Sequence, residues 1–192
     1  MDKPFLLLDI DGVCLNWEKG LMKFVQSHRP HLHHPSRIDD TAFYLSEKMG
    51  VTAEVANILV WDFHCDASFA QLEPLPGADQ AIAILRDTYR LVAITACGSE
   101  DNIAQARQIN LDTVFDKAFE RLICVDTSSQ KRQYLLEYPP SYWVEDRMDN
   151  AIMGVECGHR SWLINAPHNL GDTDQPGIPR IDSLYDLVSI IT

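Results

Sequence analysis

Short apolar runs alternate along this chain with segments that have helical periodicity. The apolar runs lie at residues 5–8, 90–95, 118–125, 142–145 and 161–164. Runs that are hydrophobic nearly throughout are typical of parallel strands whose two faces are both covered by helices. Since such strands alternate with helices here, the pattern predicts an α/β fold: a Rossmann-like, doubly wound parallel sheet with right-handed crossovers.

Amphipathic spacing and capping residues predict the helices. The predicted ranges are 17–26, 40–49, 52–60, 78–87, 99–110, 128–137, 148–157 and 183–190. Thr52 and Ser99 are expected to cap two of them, because a side-chain oxygen can accept a hydrogen bond from a free N–H group at a helix start. Gly50 is expected to end the helix before it, and residues 61–66 are expected to be irregular.

The segment 17–73 contains no convincing strand and separates the first predicted strand from the second. We therefore expect a core formed by residues 1–16 and 74–192, and a helical cap formed by residues 17–73. Four histidines between His28 and His34 could indicate a metal-binding tract. Flanking prolines and the absence of regular spacing favour an exposed loop, whose role the sequence leaves open.

Composition limits the partners of the chain. The net charge of −12 argues against generic binding to nucleic acid or to an anionic membrane, both of which favour a basic face. No stretch approaches the roughly 20 apolar residues of a membrane span. The charge does not exclude a small anionic ligand, because a metal and a few local cations can reverse the sign inside one cleft.

The cysteines and the N-terminus indicate a compartment. The five cysteines form no Cys-x-x-Cys pair, and several lie in apolar runs. We read them as reduced core thiols of a cytoplasmic protein. The first apolar run ends at Asp9, too early for a signal peptide. The oligomeric state stays open, with a homo-oligomer among the alternatives.

The first candidate site residues are Asp9 and Asp11, which follow the first predicted strand and precede Gly12. Open α/β sheets place their ligands at the carboxyl ends of strands. Side chains two apart on an extended segment point to the same side. Two carboxylates so close call for a cation, a shared proton or phosphate chemistry. The alternative is a polar strand exit in which Gly12 forms the turn.

Three further segments carry polar groups at strand ends or at a helix start. Thr95 ends the second strand and is followed by small residues that a ligand could approach closely. Lys131 lies at a helix start, where the helix dipole disfavours a cation unless an anion is near. Strand-end polarity and a solvated surface lysine are the alternatives. The last segment ends in Glu145 and Asp146, with Asn150 one helical turn further on, where it could orient the acidic pair.

Taken in order, these segments resemble the four motifs of the haloacid dehalogenase superfamily of phosphohydrolases. The matches are Asp9-Ile10-Asp11-Gly12-Val13, Thr95, Lys131 and Glu145-Asp146-x-x-x-Asn150. The resemblance implies a Rossmann-like sheet of strand order 3-2-1-4-5, with a helical cap inserted after the first strand.

The resemblance also implies roles for these residues. Asp9 would be the nucleophile that forms an aspartyl-phosphate. Asp11 would be the general acid and base; dehalogenating members lack this carboxylate, so its presence favours phosphate esters. Thr95, Ala96 and Lys131 would bind the phosphoryl oxygens. Mg²⁺ would be held by Asp9, the Asp11 backbone carbonyl and Asp146.

Within that superfamily, the residues from Phe69 to Ala78 and the Ile94-Thr95-Ala96 pattern resemble the 5′-nucleotidase and 5′(3′)-deoxyribonucleotidase branch. The cap aromatics Trp17, Trp61, Phe63 and Phe69 could stack on a base, or could pack the cap's own core. The sequence thus predicts a Mg²⁺-dependent phosphomonoesterase for (deoxy)nucleoside monophosphates. The alternatives are a phosphatase of another small ester or of a nucleic-acid 3′-phosphate end, and a non-catalytic binding protein on the same fold.

Overall fold

The computed structural model describes residues 3–32 and 38–192. It contains a six-stranded sheet of order β3-β2-β1-β4-β5-β6, in which all neighbouring strands are parallel. This confirms the predicted α/β class and strand order, and adds a short sixth strand at one edge. The strands are β1 Phe5–Leu8, β2 Arg90–Thr95, β3 Phe119–Cys124, β4 Tyr142–Glu145, β5 Arg160–Ile164 and β6 Arg180–Ile181.

Eight α-helices lie within the described residues. They are α1 Trp17–His28, α2 Leu45–Met49, α3 Ala53–His64, α4 Ala78–Thr88, α5 Asp101–Val114, α6 Lys131–Leu135, α7 Met148–Glu156 and α8 Leu184–Ile191. A 3₁₀ turn, Ser128–Gln130, precedes α6 in the range predicted as one helix. No helix in this part of the chain is long and apolar enough to cross a membrane.

Three helix predictions were wrong in their bounds. The helix predicted at 40–49 begins only at Leu45, because Asp39 accepts hydrogen bonds from the Thr41 N–H and hydroxyl and folds this stretch into a turn. Residues 61–64 are helical rather than irregular, since α3 continues to His64. Ser99 does not cap α5: its N–H donates to Asp126 Oδ1 at 2.8 Å, and the helix starts after Glu100.

The centre of the sheet explains why polar groups converge at one edge. Leu6, Leu7 and Leu8 are fully buried, and Leu7 pairs with Val92 on one side and Trp143 on the other. Because β2 and β4 flank β1 in parallel, the carboxyl ends of all three strands meet at the same edge. The residues that follow each strand are therefore neighbours in space.

The ends of the segment between β1 and β2 also meet. Leu15 forms an antiparallel bridge with Pro74, and the Leu75 N–H donates to the Cys14 carbonyl at 2.9 Å. The segment between these points carries α1, α2 and α3. The division into a cap of residues 17–73 and a core stays a prediction, which this two-stranded stem supports.

The histidine-rich segment is described only in part. His28 ends α1, and Pro30–Leu32 forms a 3₁₀ turn. His33 and His34 lie outside the described residues, so the prediction of an exposed loop there is not addressed. All five cysteines are free thiols.

Candidate active site

A buried lysine joins two carboxylates at the carboxyl edge of the sheet. Lys131 Nζ lies 2.9 Å from Asp9 Oδ1 and 2.7 Å from Glu145 Oε1. Asn150 Nδ2 donates to the same Glu145 oxygen at 2.9 Å. The other oxygen, Glu145 Oε2, accepts from the N–H groups of Asp146 and Arg147. Both oxygens of Glu145 thus accept hydrogen bonds from neighbouring donors, whereas Asp9 also faces the cavity described below.

Burial shifts the ionisation of these groups. Desolvation, reinforced by the Glu145 carboxylate, raises the pKa of Asp9 to about 7, although Lys131 opposes the shift. Desolvation and then the charge of Asp9 raise the pKa of Asp146 to about 7. Burial alone would lower the pKa of Lys131, but Asp9 and Glu145 raise it above its ordinary value. The lysine therefore remains a cation, and negative charge is in excess around it.

Asp9, Glu145 and Asp146 form an acidic group whose oxygens lie within 4.8 Å of one another. Gly12 borders this group with φ of +81°, and a Cβ at this position would lie 2.1 Å from Asp146 Oδ2. A side chain there would displace the Asp146 carboxylate, so glycine is required both by the turn and by the close approach. The group could hold a metal ion.

Asp146 is held from the far side by the loop after β5. His168 Nε2 lies 3.0 Å from the Asp146 carbonyl and 3.4 Å from its Oδ2. Asn169 Nδ2 donates to the same carbonyl at 2.6 Å, and Arg180 holds the Asn169 amide oxygen. These contacts fix the backbone from which the Asp146 carboxylate projects.

Asp11 points away from the acidic group toward a buried arginine. Arg107 Nη2 lies 2.6 Å from Asp11 Oδ1 and 2.7 Å from Oδ2. Burial raises the pKa of Asp11, and the Arg107 charge opposes that shift. Asp9 and Asp11 are therefore two carboxylates with different cationic partners, Lys131 and Arg107, and the two can serve different functions.

Thr95 supplies a buried hydroxyl beside the carboxylates. Its Oγ1 has no hydrogen-bond partner of regular geometry among the described residues, yet it lies close enough to Asp11 to lower that group's pKa slightly. An unsatisfied buried hydroxyl is costly, and a ligand oxygen at this point would satisfy it. Ala96 follows and lines the same space.

A cavity of about 840 Å³ opens above this edge of the sheet. That volume falls in the range of small-molecule sites. Its floor contains the catalytic, phosphate-binding and metal-binding residues predicted from the sequence. Its wall comes from the segment between β1 and β2, together with Arg147 and the loop after β5. The lining includes Asp9, Asp11, Thr95, Ala96, Lys131, Asp146, Asn150, Trp17, Phe43, Tyr44, Lys48, Arg147 and His168.

The cap aromatics expected to contact a substrate are placed differently from one another. Trp17 lines the cavity, where its Nε1 donates to His64 Nε2 at 2.9 Å. Phe63 and Phe69 are fully buried and pack edge to face, as in the alternative of a cap core. Trp61 is 51% exposed and is not part of the cavity wall. The expectation of substrate contact is thereby narrowed to Trp17.

Other wall residues were missed by the sequence reasoning. Phe43 faces the cavity, with the Arg147 guanidinium 4.1 Å from its ring centroid and the His168 ring edge-on at 5.4 Å. The adjacent aromatics Phe43 and Tyr44 were a usable signal, hidden by the assignment of that stretch to a helix. Arg107 was also detectable, because it stands between Ile103 and Leu111 on the buried face of α5. Lys131, and not its neighbour Arg132, reaches the site, because Arg132 pairs with Glu156 on the surface.

Several solved structures that share this architecture are haloacid dehalogenase-like hydrolases. One from Streptococcus pneumoniae superposes with a TM-score of 0.71 at 12% identity, over 99% of both chains. CbbY from Rhodobacter sphaeroides, in complex with phosphate, gives 0.64 at 15% identity over 97% of this chain and 96% of that one. The magnesium-bound hydrolase YfnB from Bacillus subtilis gives 0.63 at 14% over 100% of both. The chain therefore has the haloacid dehalogenase-like fold.

Sequence comparison identifies a relative of this chain. An uncharacterised 32.4 kDa protein of Enterobacteria phage T4, from the Gp30-rIII intergenic region, is 30% identical over 167 residues. The match covers 86% of this chain and spans 59% of the length of the phage protein. No family model matches the chain.

Proposed function

We propose that this protein is a Mg²⁺-dependent phosphomonoesterase of the haloacid dehalogenase superfamily, acting through an aspartyl-phosphate on Asp9. The observation that carries the proposal is the placement of Asp9, at the floor of an open cavity with Lys131 at 2.9 Å and an acidic neighbour, Asp146. A nucleophilic carboxylate needs a cation beside it to accept a phosphate dianion, and this arrangement supplies one.

The residues present fit a magnesium ion. Burial raises the pKa of both Asp9 and Asp146, and neighbouring carboxylates add to it through repulsion, Glu145 acting on Asp9 and Asp9 acting on Asp146. A divalent cation would relieve that repulsion, and oxygen donors are those that Mg²⁺ prefers. Asp9, Asp146 and the Asp11 backbone carbonyl would hold it. When bound, the ion would neutralise charge on the phosphate and on the attacking carboxylate.

The protein's own groups then account for two displacements. In the first, an Asp9 oxygen attacks phosphorus, the bond to the leaving oxygen breaks, and Asp11 gives that oxygen a proton. In the second, water attacks phosphorus, Asp11 takes its proton, and the bond to Asp9 breaks. The Thr95 hydroxyl, the Ala96 backbone N–H and Lys131 bind the phosphoryl oxygens, where Lys131 offsets the developing charge.

The substrates in this proposal are (deoxy)nucleoside monophosphates. A cavity of about 840 Å³ accommodates a nucleotide above the floor residues. Trp17 and Phe43 offer ring surface in its wall, and base–aromatic stacking contributes about 1–3 kcal/mol per base. Arg147 adds a cation to the same wall, and Lys48 lies there paired with Glu18, so the wall is suited to a polar leaving group.

A substrate panel tests the proposal. Purified protein is assayed with p-nitrophenyl phosphate, nucleoside 5′-monophosphates, hexose phosphates and a 3′-phosphorylated oligonucleotide, each with MgCl₂ or EDTA. We expect Mg²⁺-dependent hydrolysis, with nucleotides as the best natural esters. Asp9→Asn is the inactive comparison, and Asp87→Asn, an exposed carboxylate on α4, is its matched control.

Different outcomes of this assay would contradict different parts of the proposal. Hydrolysis that favours sugar phosphates would overturn the nucleotidase assignment and leave the phosphatase intact. Hydrolysis that continues fully in EDTA would remove the role of magnesium. No hydrolysis of any ester, with folded protein and Mg²⁺ present, would favour a binding protein on the same fold.

A further inference from the structure

Arg107 occupies an unusual position at the junction of the cap segment and the sheet. It is fully buried on α5, between Ile103 and Leu111. Its guanidinium carbon lies 4.3 Å from the ring centroid of Phe69, which belongs to the 3₁₀ turn Ala67–Gln71. One face of the cation is therefore covered by an aromatic ring from the cap segment, while its tip reaches the sheet edge.

The hydrogen bonds of Arg107 are unevenly distributed. Nη2 contacts both oxygens of Asp11, at 2.6 and 2.7 Å. Nε and Nη1 make no hydrogen bond of regular geometry in the described part of the chain, although the Cys97 thiol lies close enough to interact with the guanidinium. A buried guanidinium depends strongly on its counter-ion, because removing one partner of a buried pair leaves an uncompensated charge. Asp11 is the acidic side chain that forms an ion pair with Arg107.

The same contact defines the direction of the Asp11 carboxylate. Asp11 lines the cavity and its side chain is partly exposed there, so it is not fixed by packing alone. It also lies outside the acidic group formed by Asp9, Glu145 and Asp146. Arg107 thus holds the Asp11 carboxylate at the cap junction, while Thr95 and Lys131 remain close enough to act on it.

We propose that Arg107 is a positioning residue, which sets the direction of the Asp11 carboxylate and links it, through the Phe69 ring, to the packing of the cap segment. The inference rests on the proposed function, in which Asp11 moves the proton to and from the reacting oxygens. Arg107 touches neither substrate nor phosphate in this role and acts through Asp11.

The role has a kinetic signature that a general loss of stability would not produce. An alkoxide leaving group needs a proton from Asp11 as its bond to phosphorus breaks, whereas p-nitrophenolate departs without one. The ratio kcat/KM reports phosphoryl transfer to Asp9, the step that releases the leaving group. Misdirecting Asp11 therefore lowers kcat/KM selectively for esters with poor leaving groups.

The experiment compares Arg107→Met and Arg107→Lys with the wild-type chain on p-nitrophenyl phosphate and on an alkyl ester such as glycerol phosphate. We expect Arg107→Met to lower kcat/KM about 100-fold for the alkyl ester and less than about 5-fold for p-nitrophenyl phosphate, since general acid catalysis contributes about 10²–10⁴-fold. Arg107→Lys retains the charge without the planar fork and should fall in between. Gln108→Met, on the same helix and bonded to Asp112, is the matched control.

A double-mutant cycle with Asp11→Asn makes the test specific. If Arg107 acts through Asp11, adding Arg107→Met to Asp11→Asn changes kcat/KM by no more than about twofold, because coupled residues are not additive. Phe69→Leu leaves the charge pair in place and provides a second variant should Arg107→Met fail to fold. It should show the same leaving-group selectivity, at a few-fold.

Two results would overturn the inference while the phosphatase assignment stands: equal losses on both esters in Arg107→Lys and Phe69→Leu, or fully additive losses in the cycle. A wild-type chain without activity on either ester would instead remove the proposed function, and with it this role for Arg107.

Discussion

The floor and the upper wall of the cavity are held in place by different parts of the fold. On the floor, the buried carboxylates Asp9 and Glu145 stand at the ends of neighbouring strands, and the buried Lys131, at the start of α6, bonds to both. In the wall, Phe43 and Tyr44 are exposed residues of a turn, 43% and 60% accessible. The floor is held by the sheet itself, whereas the wall depends on how the segment between β1 and β2 packs above it.

In the proposed phosphatase, this difference separates two tasks. A fixed charged floor suits the phosphate group, which is the same in every ester. A wall built from a helical insertion can differ in shape without disturbing the floor, so it suits the leaving group. Changes to the floor should therefore affect all substrates, and changes to the wall should affect some of them.

The largest effect is expected from the nucleophile. Asp9→Asn should lower turnover of every ester by at least about 10⁴-fold, the scale of losing a covalent nucleophile, and should abolish labelling of the protein by a ³²P-phosphorylated substrate. Trapping by acid quench measures the label. Residual labelling of Asp9→Asn at the wild-type level would place the nucleophile elsewhere.

Metal removal should come next. EDTA, or Asp146→Asn, should reduce hydrolysis of all esters by about 10²–10³-fold, because either change deprives the floor of its metal ion, EDTA by chelation and the substitution by loss of a ligand. Titration with MgCl₂ should restore the EDTA-treated wild type fully and the variant only at higher concentration. Asp149→Asn, an exposed carboxylate on α7, controls for charge alone. Equal restoration of wild type and Asp146→Asn would contradict metal binding by Asp146.

Loss of the general acid should affect each substrate according to how poor its leaving group is, and not according to its shape. Asp11→Asn should lower kcat/KM for nucleotides and alkyl esters by about 10²–10⁴-fold, and much less for p-nitrophenyl phosphate. Stopped-flow release of nitrophenolate and a phosphate assay for the other esters provide the two measurements. Uniform loss across esters would remove Asp11 from the proton-transfer role.

The floor residues could be predicted from the sequence because each is recognisable from the residues next to it in the chain. Asp9, Thr95, Glu145 and Asp146 each stand at or just beyond a strand end, and a parallel sheet brings those ends together whatever the rest of the chain does. Lys131 could be inferred because a cation at a helix start needs an anion. The register of β2 and β4 against β1 then sets how far the floor residues are buried and how close together their charges lie.

The wall could not be predicted in the same way. Trp61 and Phe63 lie two positions apart on α3, yet one is half exposed and the other is fully buried. Which face of this helix turns to the interior is decided by its neighbours, here the rings of Trp17, Phe24 and Phe69 that pack against Phe63. The bond between Arg107 and Asp11 joins positions 96 apart, so no local pattern contains it.

Substitutions of aromatic residues in the wall test whether the wall selects the substrate. Trp17→Ala and Phe43→Ala should lower kcat/KM for nucleoside monophosphates by about 5- to 150-fold, the equivalent of about 1–3 kcal/mol of stacking, with little change for p-nitrophenyl phosphate. Trp61→Ala removes an aromatic ring of the same segment outside the cavity, and is the matched control. Parallel loss on nucleotide and nitrophenyl ester would show that these residues maintain the fold of the wall rather than read the base.

The smallest effect concerns the junction between wall and floor, where His64 lies buried. Desolvation, then the positive charge of Arg107, lowers the pKa of His64 to about 4 from 6.5, although a hydrogen bond with the Cys97 backbone opposes the shift. Its Nε2 accepts from Trp17 Nε1, which requires the neutral ring. The folded chain therefore binds this proton more weakly than the unfolded chain does.

Stability should accordingly fall as pH drops below 6.5, by about 1 kcal/mol on reaching pH about 5.5, and level off only below about 4. His64→Gln retains an acceptor for Trp17 and has no proton to bind, so the difference in free energy of unfolding between wild type and variant should shrink in acid. His31→Gln, an exposed histidine, is the control. Urea titrations at each pH isolate the His64 contribution, because the floor carboxylates are common to all three proteins. A pH-independent difference between wild type and His64→Gln would mean that the pKa of His64 is the same in the folded and the unfolded chain, and would contradict a ring held neutral by burial and by its bond to Trp17.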